Sequence, residues 1–266
     1  MNKLLTSYWS NKSVLITGAS SGLGWALVHA LAPYRIHFCL LSRREKELQI
    51  LAGQLRNSGS RFWIRACDVR NREEVERAVH DFVKESGKLD VAWVNSGIGG
   101  ETSRNKWDWD LVERMIDTNL KGALYTAKAC LEVMTKQKHG AVVGIGSIAS
   151  MRGLPARSIY SAGKIALTYY LEAIAVEYPE LQITTIHPGF VDTAINRGNP
   201  NRIFLQTPEH AAQMMINAVA KKKREYIYPW QMRIIFHLVR ALPYGIYKHL
   251  ARRMIHLTRP SSTASE

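Results

Sequence analysis

Short β-branched runs alternate with longer stretches of helical period along most of the chain, and that pattern predicts the fold class before any single residue is weighed. The runs Ser13–Thr17, Arg35–Leu41, Arg61–Ala66, Leu89–Val94, Gly140–Gly146, Gln182–His187 and Tyr226–Tyr228 read as strands. The stretches Gly22–Ala32, Arg44–Asn57, Arg72–Glu85, Trp107–Lys136, Ala156–Tyr178 and Pro208–Lys222 read as helices. Strand and helix in strict alternation predict an α/β, Rossmann-like, doubly wound sheet of seven mostly parallel strands with helices on both faces. After the last strand, Met232–Leu242 and the stretch beyond Pro243 read as two more helices, so a C-terminal helical extension is expected. No internal repeat interrupts the chain, and the polar end Ser261–Glu266 reads as disordered.

Among 266 residues, 46% are hydrophobic, enough for one large core. No Pro/Gly/Ser-rich linker divides Ser13 from Tyr228, so residues 1–229 are expected to form one domain, with 230–266 as its basic extension. The three cysteines, Cys39, Cys67 and Cys130, lie in apolar segments without metal-ligand or CxxC spacing and read as reduced core residues. No cluster of His, Cys and carboxylates has ligand spacing, so no metal is predicted. The first eleven residues lack the apolar region and cleavage site of a secretion signal, and no run of eighteen uncharged apolar residues suggests a membrane span. A cytoplasmic location is therefore expected.

Charge changes this picture at one end only. The chain carries a net +14, and residues 221–266 hold ten Lys or Arg against two Glu, a net +8. In the extension, Met232, Ile235, Phe236, Val239 and Leu242 share a broad face opposite Arg233, His237 and Arg240. Ile246, Tyr247, Leu250, Met254 and Leu257 repeat the arrangement against Lys248, Arg252 and Arg253. Such helices either pack on their own domain or a partner subunit, or lie on anionic lipid at the inner face of a membrane. Nucleic acid is disfavoured, because no recognised binding motif accompanies the charge.

The segment Gly18-Ala19-Ser20-Ser21-Gly22-Leu23-Gly24 follows an apolar strand and opens a helix. There, glycines permit a tight turn and let a pyrophosphate approach a helix N-terminus. The second strand ends in Ser42-Arg43-Arg44, where an acidic residue would hold the ribose of NAD. Guanidinium groups in that place pair with a 2′-phosphate, so NADP(H) is preferred over NAD(H). Tyr160 and Lys164 stand at i and i+4, on one helix face. A free tyrosine ionises near pH 10, and a nearby cation favours its phenolate. Alone, that pair reads more readily as a surface contact.

Its company changes the reading: Ser147 at a strand end, Asn119 in Asp117-Thr118-Asn119-Leu120-Lys121-Gly122, and Asn95-Ser96-Gly97 at another strand end. With the glycine-rich turn, these motifs resemble the short-chain dehydrogenase/reductase family over roughly residues 12–228. The resemblance implies that Tyr160 is the general acid or base at the reacting oxygen, that Ser147 holds this oxygen, and that Lys164 binds the nicotinamide ribose. It makes Asn119 the anchor of a water linking Lys164 to solvent. It implies further cofactor contacts at Asp68 and Val69, at Asn95 and Gly97, and in Pro188-Gly189-Phe190-Val191-Asp192-Thr193, chiefly at Val191 and Thr193. Ser96 departs from the alanine usual there. His187 reads as a core or turn histidine.

By the same resemblance, Ser150–Ser158 and the loop Ala194–Gln206 shape the substrate pocket. Met151, Leu154, Ile195, Ile203 and Phe204 predict a small apolar carbonyl or alcohol as substrate, of ketone or lipid-like kind. A homo-oligomer, dimer or tetramer, paired through the two long helices is implied. The expected function is hydride transfer between NADP(H) and that substrate, in the direction of reduction. The alternative is a non-catalytic NADP-binding sensor or scaffold that uses the basic tail for partners, and a weaker one is a membrane- or RNA-bound protein with an incidental nucleotide site.

Overall fold

The computed structural model describes residues 2–197 and 202–257. The expected disordered end, Ser261–Glu266, and part of the loop after residue 197 lie outside the described residues. Seven strands, β1 (Ser13–Thr17), β2 (His37–Ser42), β3 (Arg61–Ala66), β4 (Val91–Val94), β5 (Ala141–Ile145), β6 (Gln182–Pro188) and β7 (Glu225–Tyr228), pair in the order β3-β2-β1-β4-β5-β6-β7. Every pairing is parallel. The chain winds outward from β1 in one direction, then returns to β4 and winds the other way. In such sheets ligands bind beyond the carboxyl ends of the strands at the reversal, here β1 and β4.

Alternation along the strands divides the core. Val14, Ile16, Phe38 and Leu40 point to one face, and Leu15, Cys39 and Leu41 to the other. The first face packs under α1 (Lys3–Trp9), α2 (Gly22–Leu31), α3 (Glu45–Gln54) and α8 (Pro208–Ala220). The second packs under α4 (Arg72–Ser86), α6 (Gly122–Gln137) and α7 (Ser158–Glu177). With both faces covered, the central strands β1, β4 and β5 are buried at every position, as parallel strands require, whereas the edge strand β3 keeps Arg61 and Arg65. The three cysteines are buried and unbridged on the second face, where burial pushes the Cys67 and Cys130 thiols up to about 12.

Two elements differ from the sequence reading. Helix α1 was not expected from the first eleven residues. Its start is capped by Asn2, whose Oδ1 accepts from Leu4 N at 3.0 Å, and Leu5 and Trp9 at i and i+4 are buried. Trp9 is fully enclosed, stacked 6.2 Å from Trp93 with its indole N–H donating to Ile216 O. Second, the expected helix from Trp107 to Lys136 is broken: α5 (Trp109–Ile116) gives way to a π turn at Asp117–Lys121 before α6. The C-terminal helical extension expected from the sequence is present as α9 (Trp230–Ala241) and α10 (Tyr244–Leu257), and α9 packs on its own sheet.

That packing uses the apolar face identified in the sequence. Met232 and Phe236 are buried against Ile148 and Ile227, and the Phe236 ring lies 5.2 Å from His187. Full burial of a phenylalanine stabilises by about 1.5–3 kcal/mol, so α9 belongs to the floor beside the β5 and β6 ends. A second row, Trp230, Ile234 and Leu238, is exposed on the same helix, as are Tyr244, Ile246 and Leu250 on α10.

Candidate active site

At the carboxyl end of β1, Gly18 takes φ +69° and Gly22 φ +56°, backbone angles that favour glycine. Gly24 is required by proximity: a Cβ there would stand 2.3 Å from Gly18 O. Ser21 caps α2 by backbone geometry alone, without a side-chain bond, and the amides of Gly22, Leu23 and Gly24 find no acceptor among the described residues. Three free amides at the positive end of a helix form an anion cradle. A dinucleotide pyrophosphate fits it.

Beside this cradle, the Ser42 hydroxyl donates to Ser20 Oγ at 2.7 Å, and Arg44 lays its guanidinium across the loop onto Ser20 (2.9 Å) and Ser21 (2.7 Å). Arg43 is exposed. No carboxylate stands at the end of β2, so the edge of the cradle is cationic. Asp68, after β3, is bound by Arg70 through both carboxylate oxygens, and the Arg70 hydrogen bonds hold its carboxyl below the ordinary value. Val69 is buried against the start of α6, leaving no room for a Cβ at Gly122.

Asn95 closes the reversal point. Its Nδ2 donates to Thr17 O at 2.8 Å, while the amides of Asn95 and Ser96 both donate to Thr17 Oγ1 at 3.1 Å. The side chain is thus spent on clamping β4 to β1 and the glycine loop. Gly97 follows at a crowded vertex, where a Cβ would meet Asn119 Oδ1 at 3.3 Å and Lys164 Nζ at 3.5 Å.

The π turn aims Asn119 into this vertex. Asn119 is 1% exposed, accepts from Ile98 N and donates to Ile98 O, each at 2.8 Å. An inserted residue that re-aims a side chain is the usual use of a π turn. Lys164, from α7, is 4% exposed and donates to Ile145 O at 2.7 Å. Burial depresses its ammonium to about 8. Its Nζ lies 5.8 Å from the centre of the Tyr160 ring.

Burial raises the Tyr160 phenol above its ordinary value, against weaker opposing pulls from the Ser147 hydroxyl and the Arg157 guanidinium. Ser147 Oγ accepts from Ala149 N at 3.1 Å, which fixes the hydroxyl at the end of β5. Behind it, Ser150 Oγ donates to Ser147 O at 2.6 Å and meets His187 Nδ1 at 3.0 Å. His187 is wholly buried, as the sequence suggested; its Nε2 lies 3.3 Å from Glu225 Oε1, near enough for attraction but not aligned as a hydrogen bond. Tyr160, Lys164, Ser147 and Asn119 therefore meet at the ends of β4 and β5.

Beyond β6, Gly189 lets the chain pass under β7, since a Cβ would stand 2.9 Å from Tyr228 O. Val191 is buried, and Thr193 reaches the cradle: its Cγ2 would lie 3.3 Å from a Cβ on Gly22. Ile195 crosses to Gly99, where an added Cβ would meet it at 2.8 Å. The segment after Pro188 thus roofs the space between the cradle and Tyr160. Sequence reasoning missed Arg157, which donates to Gly100 O at 3.2 Å and whose charge favours the Tyr160 phenolate. A lone arginine before a helix carries no sequence signal of that role.

A phosphate cradle at the sheet reversal, joined to a phenol, a buried amine and a strand-end hydroxyl, defines a nucleotide-dependent oxidoreductase of Rossmann type. Residues 12–202 match the short chain dehydrogenase family, and the chain belongs to it. The chain is 32% identical over 248 residues to an uncharacterized oxidoreductase of Myxococcus xanthus, covering 92% of this chain and 98% of that protein. It is 31% identical over 217 residues to an uncharacterized oxidoreductase of Staphylococcus aureus strain USA300, covering 80% and 93%. An alcohol dehydrogenase from the archaeon Thermococcus sibiricus, complexed with 5-hydroxy-NADP, superimposes with a TM-score of 0.75 at 26% identity, over 82% of this chain and 96% of that one. A short chain dehydrogenase/reductase from Burkholderia phymatum in complex with NAD shares the fold, with a TM-score of 0.80 at 19% identity over 97% and 99%.

Proposed function

We propose that this protein reduces an apolar ketone or related lipid-like carbonyl with NADPH, and that Tyr160, Lys164, Ser147 and Asn119 carry the chemistry. The observation that carries this reading is their convergence at the ends of β4 and β5, below the roof formed by Val191, Thr193 and Ile195. NADP(H), when bound, supplies or accepts the hydride. Gly18, Ser20, Ser21, Gly22, Leu23 and Gly24 would hold its pyrophosphate, and Ser42, Arg43 and Arg44 its 2′-phosphate. Asp68, Val69, Asn95, Ser96 and Gly97 would border the adenosine half, and Pro188, Gly189, Val191 and Thr193 the nicotinamide end.

Within this site the protein's own groups divide the work. Ser147 Oγ donates to the carbonyl oxygen and stabilises the negative charge that grows there. Tyr160, kept protonated by burial, gives its proton to that oxygen. Lys164 lowers the cost of the phenolate left behind, and Asn119 with the Ile98 backbone keeps the path beneath Lys164 polar. NADPH oxidation against a panel of ketones, aldehydes and acyl thioesters tests the reading. Turnover of apolar ketones above that with NADH supports it, and NADPH binding without turnover on any of them would make the protein a sensor or scaffold instead.

The extension supports a location. Trp230, Ile234, Leu238, Tyr244, Ile246 and Leu250 are exposed alongside Arg233, Arg240, Lys248 and Arg252, and we propose that they hold a cytoplasmic enzyme on anionic lipid. No helix among the described residues is long and apolar enough to cross a membrane. Exposed Trp109, Ile116 and Val176 on α5 and α7 support pairing of two subunits through those helices.

A further inference from the structure

A cavity of about 550 Å³ lies outside the nucleotide cleft, between α7, the segment after Ser150 and the extension. Tyr160, Lys164, Ser147 and Asn119 do not line it, although the segment Ser150–Ser158, expected from the sequence to shape the substrate pocket, supplies one of its walls. Its α7 wall consists of Ser158, Ser161, Ala162, Ile165 and Tyr169, which share one helix face. At 3.6 residues per turn, Tyr160 and Lys164 stand roughly half a turn away.

The walls are apolar and aromatic, with Met151, Leu154, Ile165 and Tyr247 among them, whereas the charged residues lining it are Arg152, Arg240, Lys248 and Arg252. Among the described residues no carboxylate lines the cavity, and none lies within 4.0 Å of these four cations. Arg152 is instead held by neutral groups. It donates to Val239 O and Leu242 O at the end of α9, and its guanidinium covers the Tyr247 ring at 5.2 Å. Tyr247 in turn donates to Gly153 O at 2.7 Å. These contacts fix the cavity's shape without neutralising its charge.

We propose that this cavity binds a single-chain anionic amphiphile, a molecule with a hydrocarbon body and a carboxylate or phosphate head. Its volume falls within the range of about 300–1,000 Å³ typical of small-molecule sites. The apolar wall takes the chain, and the exposed cations at its rim take the head through charge-assisted contacts. The ligand is separate from the carbonyl substrate, because none of Tyr160, Lys164, Ser147 and Asn119 lines the cavity. This inference does not depend on the reaction proposed for Tyr160, since the binding needs neither cofactor nor turnover.

Titration calorimetry of the full chain with laurate, dodecyl phosphate and dodecanol, each below its micelle concentration, tests it. Laurate and dodecyl phosphate bind one per chain, and dodecanol binds at least about tenfold more weakly, the effect of losing one charge contact. The exposed pair Arg240→Gln with Lys248→Gln weakens laurate about tenfold or more. Ala251→Trp, which fills the cavity from α10, abolishes binding while the NADPH affinity of the folded protein stays unchanged. Equal affinity for dodecanol, displacement of laurate by NADPH, or undiminished binding in the folded Ala251→Trp protein would overturn the proposal. Binding to phosphatidylglycerol vesicles without binding to monomeric laurate would do the same.

Discussion

Asn119 and the backbone of Ile98 are joined by two hydrogen bonds of 2.8 Å, one in each direction, and this reciprocal pair holds the π turn between α5 and α6. Asn119→Ala leaves the half-buried Ile98 amide and carbonyl unpaired, each costing up to about 1–3 kcal/mol. The expected outcome is a lower melting temperature together with reduced turnover, measured by thermal unfolding and NADPH oxidation. Loss of turnover without loss of stability would assign Asn119 to chemistry alone, and unchanged values of both would refute the account of the turn.

The cationic edge of the cradle predicts cofactor choice. Arg44→Ala removes the guanidinium bonded to Ser20 and Ser21, and Arg43→Ala removes the exposed one beside it. A charge-assisted bond to phosphate contributes about 1.5–3 kcal/mol, so each change should raise the NADPH Kd by roughly tenfold or more and leave that of NADH nearly unchanged. Equal affinities for both cofactors in the parent protein would contradict the assignment.

Helix α1 predicts a stability effect far from the site. Trp9→Ala empties a fully buried position between Trp93 and α8, and a change of this kind costs about 3–5 kcal/mol. Denaturant unfolding would show it as a lower midpoint, while NADPH affinity of the folded fraction is retained. A shift below about 1 kcal/mol would mean that the helix is not part of the cooperative core.

This helix also shows where sequence reasoning stopped. The central strands were legible because a parallel sheet buried on both faces demands continuous apolar runs, β3 and β7 by their place in the strand–helix alternation, and six of the helices because their period is long. Seven residues with two buried positions give no such period, and α1 exists through tertiary contact with Trp93 and Ile216. The break at Asp117–Lys121 was hidden for the opposite reason: both sides are helical, and only the distant Ile98 backbone reveals why Asn119 is turned inward. The motif residues themselves were legible by spacing and resemblance. Arg157 and the second apolar row on α9 were not, since each depends on which neighbours the fold brings up.

That second row separates lipid contact from folding. Ile234 and Leu238 are 50% and 63% exposed, whereas Phe236 is 1% exposed in the floor of the site. Ile234→Glu with Leu238→Glu should weaken cosedimentation with phosphatidylglycerol vesicles and leave thermal stability within about 0.5 kcal/mol per change, as for ordinary surface substitutions. Vesicle binding that survives both changes would refute the lipid contact. Removing the chain from Trp230 onward is a poor test, because it would also strip Met232 and Phe236 from the core.

Burial of Lys164 predicts opposite responses of activity and stability to alkaline pH. Its amine ionises at about 8 in the fold, against about 10.4 unfolded, so the unfolded chain binds more protons in between. The contribution of this group to stability therefore rises with pH over that window. Its ammonium is lost over the same window, and with it the support for the Tyr160 phenolate, so kcat/KM for reduction should hold level through neutral pH and fall above about 8. Lys164→Met should remove the rise in stability, read from denaturant midpoints at pH 7.5 and 9.5. A reduction rate that climbs across that limb would contradict the assigned roles.

Tyr160 bears the central claim, and Tyr160→Phe tests it most directly because only the hydroxyl is removed. The account predicts that NADPH binding is retained while turnover of a reducible ketone falls by about 10²–10⁴-fold, the usual contribution of a positioned general acid. Turnover that persists at the parent rate in the folded Tyr160→Phe protein would contradict it.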